Sequence, residues 1–219
     1  MRKTTRIGLA VPLIAGVLAL ASPQFSSTFD MTYLSGTPGA ASGQVPLMTW
    51  SDPGAPNGVP KIIKRIVMTF ARGTRFDTAA LPRCHATDAQ LKATGPAACP
   101  KASRLGAGHT TGVFSSGGEL VTDVTLFNAR GQIVVVVQVG GAVVTEFRDR
   151  VAGRTVTIEP VLPAGVALKR LKLRIPRHGD YQRNPPTCPK SGKWTTVARF
   201  TYVDGSHETH RDTTPCRRR

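Results

Sequence analysis

Short stretches in which apolar and polar residues alternate recur along the chain, separated by glycine- and proline-bearing breaks. Residues 27–34 set Phe29, Met31 and Tyr33 against polar neighbours, which predicts a first strand. Residues 61–70 predict a second, with Ile62, Ile66, Met68 and Phe70 sharing a face with Lys64. Strands over 110–114 and 120–128 are joined through Ser115-Ser116-Gly117-Gly118. The run from Ile133 to Val137 does not alternate, so the strand over 132–139 is expected to be covered on both faces. Gly140-Gly141 turns the chain into a strand over 142–147, and another covers 154–159. Residues 167–175 alternate most cleanly: Leu171, Leu173 and Ile175 point one way, Arg170, Lys172 and Arg174 the other. Residues 194–203 place Trp194, Ala198, Phe200 and Tyr202 on one face. Asp204-Gly205 reads as a two-residue type I′ turn into a return strand over 206–213. Roughly nine or ten such strands predict an all-β fold, an antiparallel β-sandwich or a barrel-like sheet.

One segment departs from this pattern. Thr87-Asp88-Ala89-Gln90 is a capping box, with Asp88 in the first turn and Gly95-Pro96 as the stop, so a helix of about two turns is expected. Such a helix is too short to stand alone. Cys84 and Cys99 bracket it, and a bridge between them would staple its ends to the flanking strands. Four cysteines allow three pairings. With a two-residue turn the last hairpin pairs residues whose numbers sum to 409, which sets Trp194 opposite Pro215 and Cys216 opposite Lys193. Cys188 then lies within reach of Cys216, leaving Cys84 for Cys99.

The remaining stretch, 36–60, is rich in Gly, Pro, Ala and Ser and is expected to be mostly irregular, with residues 47–50 anchoring it to the core. The organisation expected is a signal peptide over 1–21, a first strand and loop over 22–60, a β domain over 61–216 and a basic tail at 217–219. The signal assignment rests on Arg2, Lys3 and Arg6 before an apolar run from Ile7 to Leu20, followed by Ala19-Leu20-Ala21 as a cleavage site. No later run is long enough to span a membrane. Cleavage near Ala21 would leave 219 − 21 = 198 residues. Secretion agrees with cysteines used in bridges.

Charge changes the picture further. The chain carries +16, which falls to +13 when Arg2, Lys3 and Arg6 leave with the signal. Such a balance attracts anionic envelope polymers or lipid headgroups. Lys169, Arg170, Lys172, Arg174 and Arg177 form the densest stripe and are the candidate anion-binding residues. The same stripe also suits a solvated face or an edge strand protected by charge. A nucleic-acid partner is not expected, because no aromatic residues interleave with the stripe as a stacking platform.

Catalytic patterns are sparse. No G-x-S-x-G elbow, phosphate loop or dinucleotide fingerprint occurs. His207 and His210 lack the i, i+4 spacing of a helical zinc site and would point to opposite faces of a strand. Asp123, Glu146, Asp149 and Glu159 offer no locally paired carboxylates, and His85, His109 and His178 stand alone. No catalytic residue, cofactor or metal is therefore assigned.

Phe76-Asp77, Leu81-Pro82, Cys84, Cys99-Pro100, Ser103-Arg104 and Gly106 form the pattern F-D-x-x-x-L-P-x-C … C-P-x-x-S-R-x-G. Residues 184–188, 192–194, Asp204-Gly205 and Pro215-Cys216 extend it. In these blocks the chain resembles uncharacterised exported β-rich proteins of actinobacterial type. The resemblance implies secretion and two local disulfides and carries over no catalytic residue. The expectation is a secreted, basic, disulfide-bonded binding or cell-envelope protein. An exported hydrolase with a dispersed site is the alternative, as is a carbohydrate-binding module, which would need Trp50 or Tyr181 exposed as a platform.

Overall fold

A computed structural model describes residues 24–217. The signal and cleavage assignments, and Arg218 and Arg219 of the tail, lie outside them. Thirteen strands and one α-helix follow in the order β1 (Ser26–Tyr33), β2 (Gln44–Ser51), β3 (Ile63–Thr69), β4 (Arg75–Phe76), α1 (Asp88–Thr94), β5 (Arg104–Phe114), β6 (Glu119–Ala129), β7 (Gln132–Val139), β8 (Ala142–Ala152), β9 (Thr155–Ile158), β10 (Val166–Arg174), β11 (Gln182–Arg183), β12 (Lys193–Tyr202) and β13 (His207–Pro215). Eleven strands form one antiparallel sheet in the order β1-β2-β10-β5-β6-β7-β8-β9-β3-β12-β13, and β4 pairs with β11. The fold is the all-β one expected, realised as a single curled, barrel-like sheet.

The barrel closes between β1 and β13 through side chains. Asp212 Oδ2 accepts from the Met31 N–H at 2.6 Å, and Thr214 Oγ1 donates to the Met31 carbonyl at 2.8 Å. The Ser27 hydroxyl donates to Glu208 Oε2 at 2.5 Å, and Tyr202 donates to the same oxygen at 2.6 Å. The interior is filled by the inward positions of each strand, among them Phe29, Met31, Met48, Trp50, Ile66, Val135 and Phe200. Trp50 and Phe200 meet with ring centroids 5.3 Å apart.

Strand β7 is buried on both faces, as its unbroken apolar run predicts. Ile133, Val135 and Val137 enter the main core. Val134 and Val136 pack outward against Leu91, Cys84 and Cys99 of the helical corner. The capping box forms: Thr87 Oγ1 accepts from the Gln90 N–H and Gln90 Oε1 from the Thr87 N–H. Asn128, fully buried, donates to the carbonyls of Thr78, Leu81 and Pro82 and ties the approach to Cys84 onto β6. The disulfides are Cys84–Cys99 and Cys188–Cys216, as expected.

Three local expectations are corrected. The last hairpin pairs residues summing to 408, with Trp194 opposite Thr214 and Cys216 N–H donating to the Gly192 carbonyl. Val203, Asp204 and Gly205 form a three-residue loop. Only Gly205, at φ +83°, takes positive φ, whereas a type I′ turn needs it at both central residues. Asp204 Oδ1 instead accepts from the Ser206 N–H and hydroxyl. Second, Ile63 rather than Ile62 is buried, because the β3–β12 register shifts between Thr201 and Tyr202. Third, the 36–60 stretch contributes β2, paired with both β1 and β10.

Asp149 of β8 is buried, and its Oδ1 has no partner among the described residues. Burial pushes its carboxyl well above the usual range; burial likewise raises the Tyr181 hydroxyl, with a smaller contribution from Asp149 once that carboxyl is ionised. A carboxyl raised by the fold costs nothing below its unfolded value, and stability falls progressively as pH climbs from that value towards the raised one. Asp149→Asn keeps the shape and cannot ionise. It is expected to gain about 1–3 kcal/mol at neutral pH and nothing at pH 3, measured by urea titration at both pH values. A loss at pH 7 would mean that the carboxylate is wanted.

Candidate anion-binding groove

The basic face of β10 becomes a site because of its two neighbours. On one edge β10 pairs with β2, setting Lys172 opposite Leu47; on the other it pairs with β5, setting Lys172 opposite His109 and Arg174 opposite Ala107. Gly108 and Gly106 of β5 come unusually close to β10. A Cβ on Gly108 would stand 2.0 Å from the Lys172 carbonyl oxygen, and one on Gly106 2.4 Å from that of Arg174. The result is a groove of about 850 Å3 whose floor includes Gly106, Ala107, Gly108 and Pro176, with Val45 on the β2 side.

Four cations line it. Lys172 and Arg174 come from β10, Lys101 and Arg104 from the segment just after Cys99. All four are exposed, and none forms an ion pair among the described residues. Two histidines complete the wall. His178 Nε2 lies 2.8 Å from the Leu105 carbonyl and donates to it; His109 Nδ1 sits 2.9 Å from Asp123, which is not part of the lining. Among the described residues no carboxylate lines the groove. Unpaired cations over a largely apolar floor attract a ligand of opposite sign that need not be stripped of a competing counter-ion.

Only part of the predicted stripe is here. Lys172 and Arg174 line the groove. Lys169 sits at a bulge between Leu168 and Arg170, and its ammonium donates to Glu119 at 2.6 Å. Arg170 is exposed between Thr49 and Thr111 and does not line the groove. Arg177 lines a smaller cleft with Leu34, Ser42 and Gly43. Lys101, Arg104, His109 and His178 were not in the stripe. The local signal for two of them is that Lys101 and Arg104 follow Cys99 closely, in the segment carrying the cysteine pattern.

Other chemistry is scattered. Trp50 and Tyr181 are 1 % and 2 % exposed, so neither offers a sugar a stacking platform. Of the four carboxylates considered, Asp123 pairs with His109, Glu159 with Arg65, and Asp149 is buried. Glu146 gains no partner there among the described residues. Ser27, His210 and Glu208 meet at the β1–β13 seam, with Ser27 Oγ 2.7 Å from His210 Nε2. Glu208, however, approaches the same ring nitrogen at 3.8 Å and itself accepts the hydrogen bond from the Ser27 hydroxyl, so it does not orient the imidazole from behind as a relay requires. Burial raises the Glu208 carboxyl, but hydrogen bonds from Ser27 and Tyr202 and the His210 charge outweigh it and leave a net lowering. Among the described residues no group of three or more His, Cys, Asp or Glu is placed to hold a metal, and no helix is long and apolar enough to cross a membrane. Comparison with protein-family models, curated proteins and solved structures finds no match for the chain.

Proposed function

We propose that this is an exported, non-catalytic protein that binds an anionic component of the cell envelope in the groove over β2, β10 and β5. The convergence of Lys101, Arg104, Lys172 and Arg174, four cations without carboxylate partners among the described residues and from segments about 70 residues apart in the chain, supports binding there. Export is part of the proposal. The basic and apolar start of the chain supports it, and the two disulfides fit an oxidising compartment.

The test is co-sedimentation with isolated cell walls and with vesicles containing anionic lipid, over a salt series. Binding is expected at low salt and should weaken as salt rises, since the Debye length falls to about 8 Å near physiological ionic strength. Each of Lys101→Gln, Arg104→Gln, Lys172→Gln and Arg174→Gln is expected to cost about 1 kcal/mol, about fivefold in affinity. Lys169→Gln, whose ammonium is already engaged by Glu119, is expected to cost much less. No binding at low salt, or equal losses at Lys169 and Lys172, would overturn the assignment.

A further inference from the structure

A second groove, of about 820 Å3, lies on the outer face of β3, β12 and β13. Four more cations line it: Arg72, Arg154, Lys193 and Arg211, again with no carboxylate among the described residues. Arg72, Lys193 and Arg211 are exposed and make no ion pair among the described residues. Arg154 is fixed in place by donating to the Phe70 carbonyl at 2.7 Å. Unlike the first groove, this one is rich in hydroxyls, contributed by Thr69, Thr187 and Thr195, with Ser191, whose hydroxyl donates to the Lys193 carbonyl at 3.2 Å, bracing the wall. Its wall is also braced: the Cys188–Cys216 bridge fastens the loop carrying Thr187 and Ser191 to the end of β13.

Guanidinium, ammonium and hydroxyl groups without a carboxylate make a donor-rich trough. It matches an oxyanion that offers several acceptor oxygens and no donor. Trp194 borders the trough but is 2 % exposed, with its indole N–H donating to the Thr187 carbonyl at 3.1 Å, so no ring is offered for stacking. We propose that this groove is a second anion site, which takes the phosphate oxygens of a linear phosphate-bearing chain. It stands independently of the first groove, from which β1 and the seam separate it around the barrel.

The test titrates the oxidised protein with inorganic phosphate and, separately, with linear polyphosphate, followed by amide chemical shifts and calorimetry. Polyphosphate is expected to shift the amides of Thr187, Ser191 and Thr195, and to bind at least about tenfold more tightly than inorganic phosphate, because it meets several cations at once. The triple variant Arg72→Gln, Lys193→Gln, Arg211→Gln is expected to lose about tenfold in polyphosphate affinity while keeping its melting temperature. The corresponding variant of Lys101, Arg104, Lys172 and Arg174 should leave those three amide shifts intact. Equal affinity for the two probes would overturn the chain ligand. Shifts that ignore the triple variant, or that vanish equally in either variant, would overturn the site.

Discussion

Gly108→Ala is expected to destabilise the barrel by about 3 kcal/mol, near the upper end for an overpacking substitution. The added methyl would lie 2.0 Å from the Lys172 carbonyl oxygen, a backbone atom held in the β5–β10 pairing, so it has no soft neighbour to displace. The strands would have to part, and backbone hydrogen bonds would be lost along the edge on which Lys172 and Arg174 are carried. Gly112→Ala on the same strand is the calibrating variant. Its methyl would meet Val166 Cγ1 at 2.6 Å, a side-chain atom rather than a strand's backbone, and a smaller loss of about 1–2 kcal/mol is expected. Urea denaturation of both measures the difference. Equal costs would show that the close backbone approach does not matter. The same pair separates fold from site: Gly108→Ala should also abolish sedimentation with anionic vesicles, because it removes the spacing that brings the two sides of the groove together.

Replacing Cys188 and Cys216 together by serine is expected to cost about 3.6 kcal/mol, and replacing Cys84 and Cys99 about 3 kcal/mol, in the chain-entropy view of a cross-link. The ordering follows from sequence separations of 28 and 15 residues. The second pair carries an additional role, since both cysteines pack with Val134 and Val136 on the outer face of β7. Losing that bridge would loosen the cover on a strand that has no polar face to show to water. Thermal and urea unfolding of the two double variants, under oxidising conditions, checks the order. A larger loss for Cys84 and Cys99 would mean that packing outweighs chain entropy at that corner.

What could be read from residues alone divides along a physical line. Period-two alternation reports which face of a strand is buried, and it did so for Trp194, Ala198, Phe200 and Tyr202, and for Leu173 and Ile175. It is blind to bulges, which insert one residue and exchange the faces; hence alternation points to Ile62 where Ile63 is the buried residue, and Lys169 stands out of step with Lys172. Asp204-Gly205 marked the hairpin but not its loop length, because the same dipeptide serves two-residue and three-residue loops. The disulfide survived that one-residue slip because Gly192 and Lys193 are neighbours. Pro46 and the surrounding glycines hid β2, although Met48 and Trp50 are buried within it. The groove was beyond reach for a different reason. It depends on β5 lying beside β10, a pairing between segments far apart in the chain, and no local pattern encodes a strand order.

The seam between β1 and β13 sets the order in which the molecule can be completed. Its hydrogen bonds join residues 181 to 183 positions apart, close to the whole length of the described chain. Contacts of such range are the slowest to form, since nearly all the loop-closure entropy must be lost before they return anything. A chain that emerges from its N-terminus offers β1 first and the partner that closes on it last. Until β13 arrives, Met31 and Ser27 lie on an open edge, the kind of surface that invites pairing with another chain. Closing this edge with Asp212, Glu208 and Thr214 instead of a continuous backbone ladder makes the final step a matter of docking polar side chains, and leaves the barrel a clasp rather than a weld.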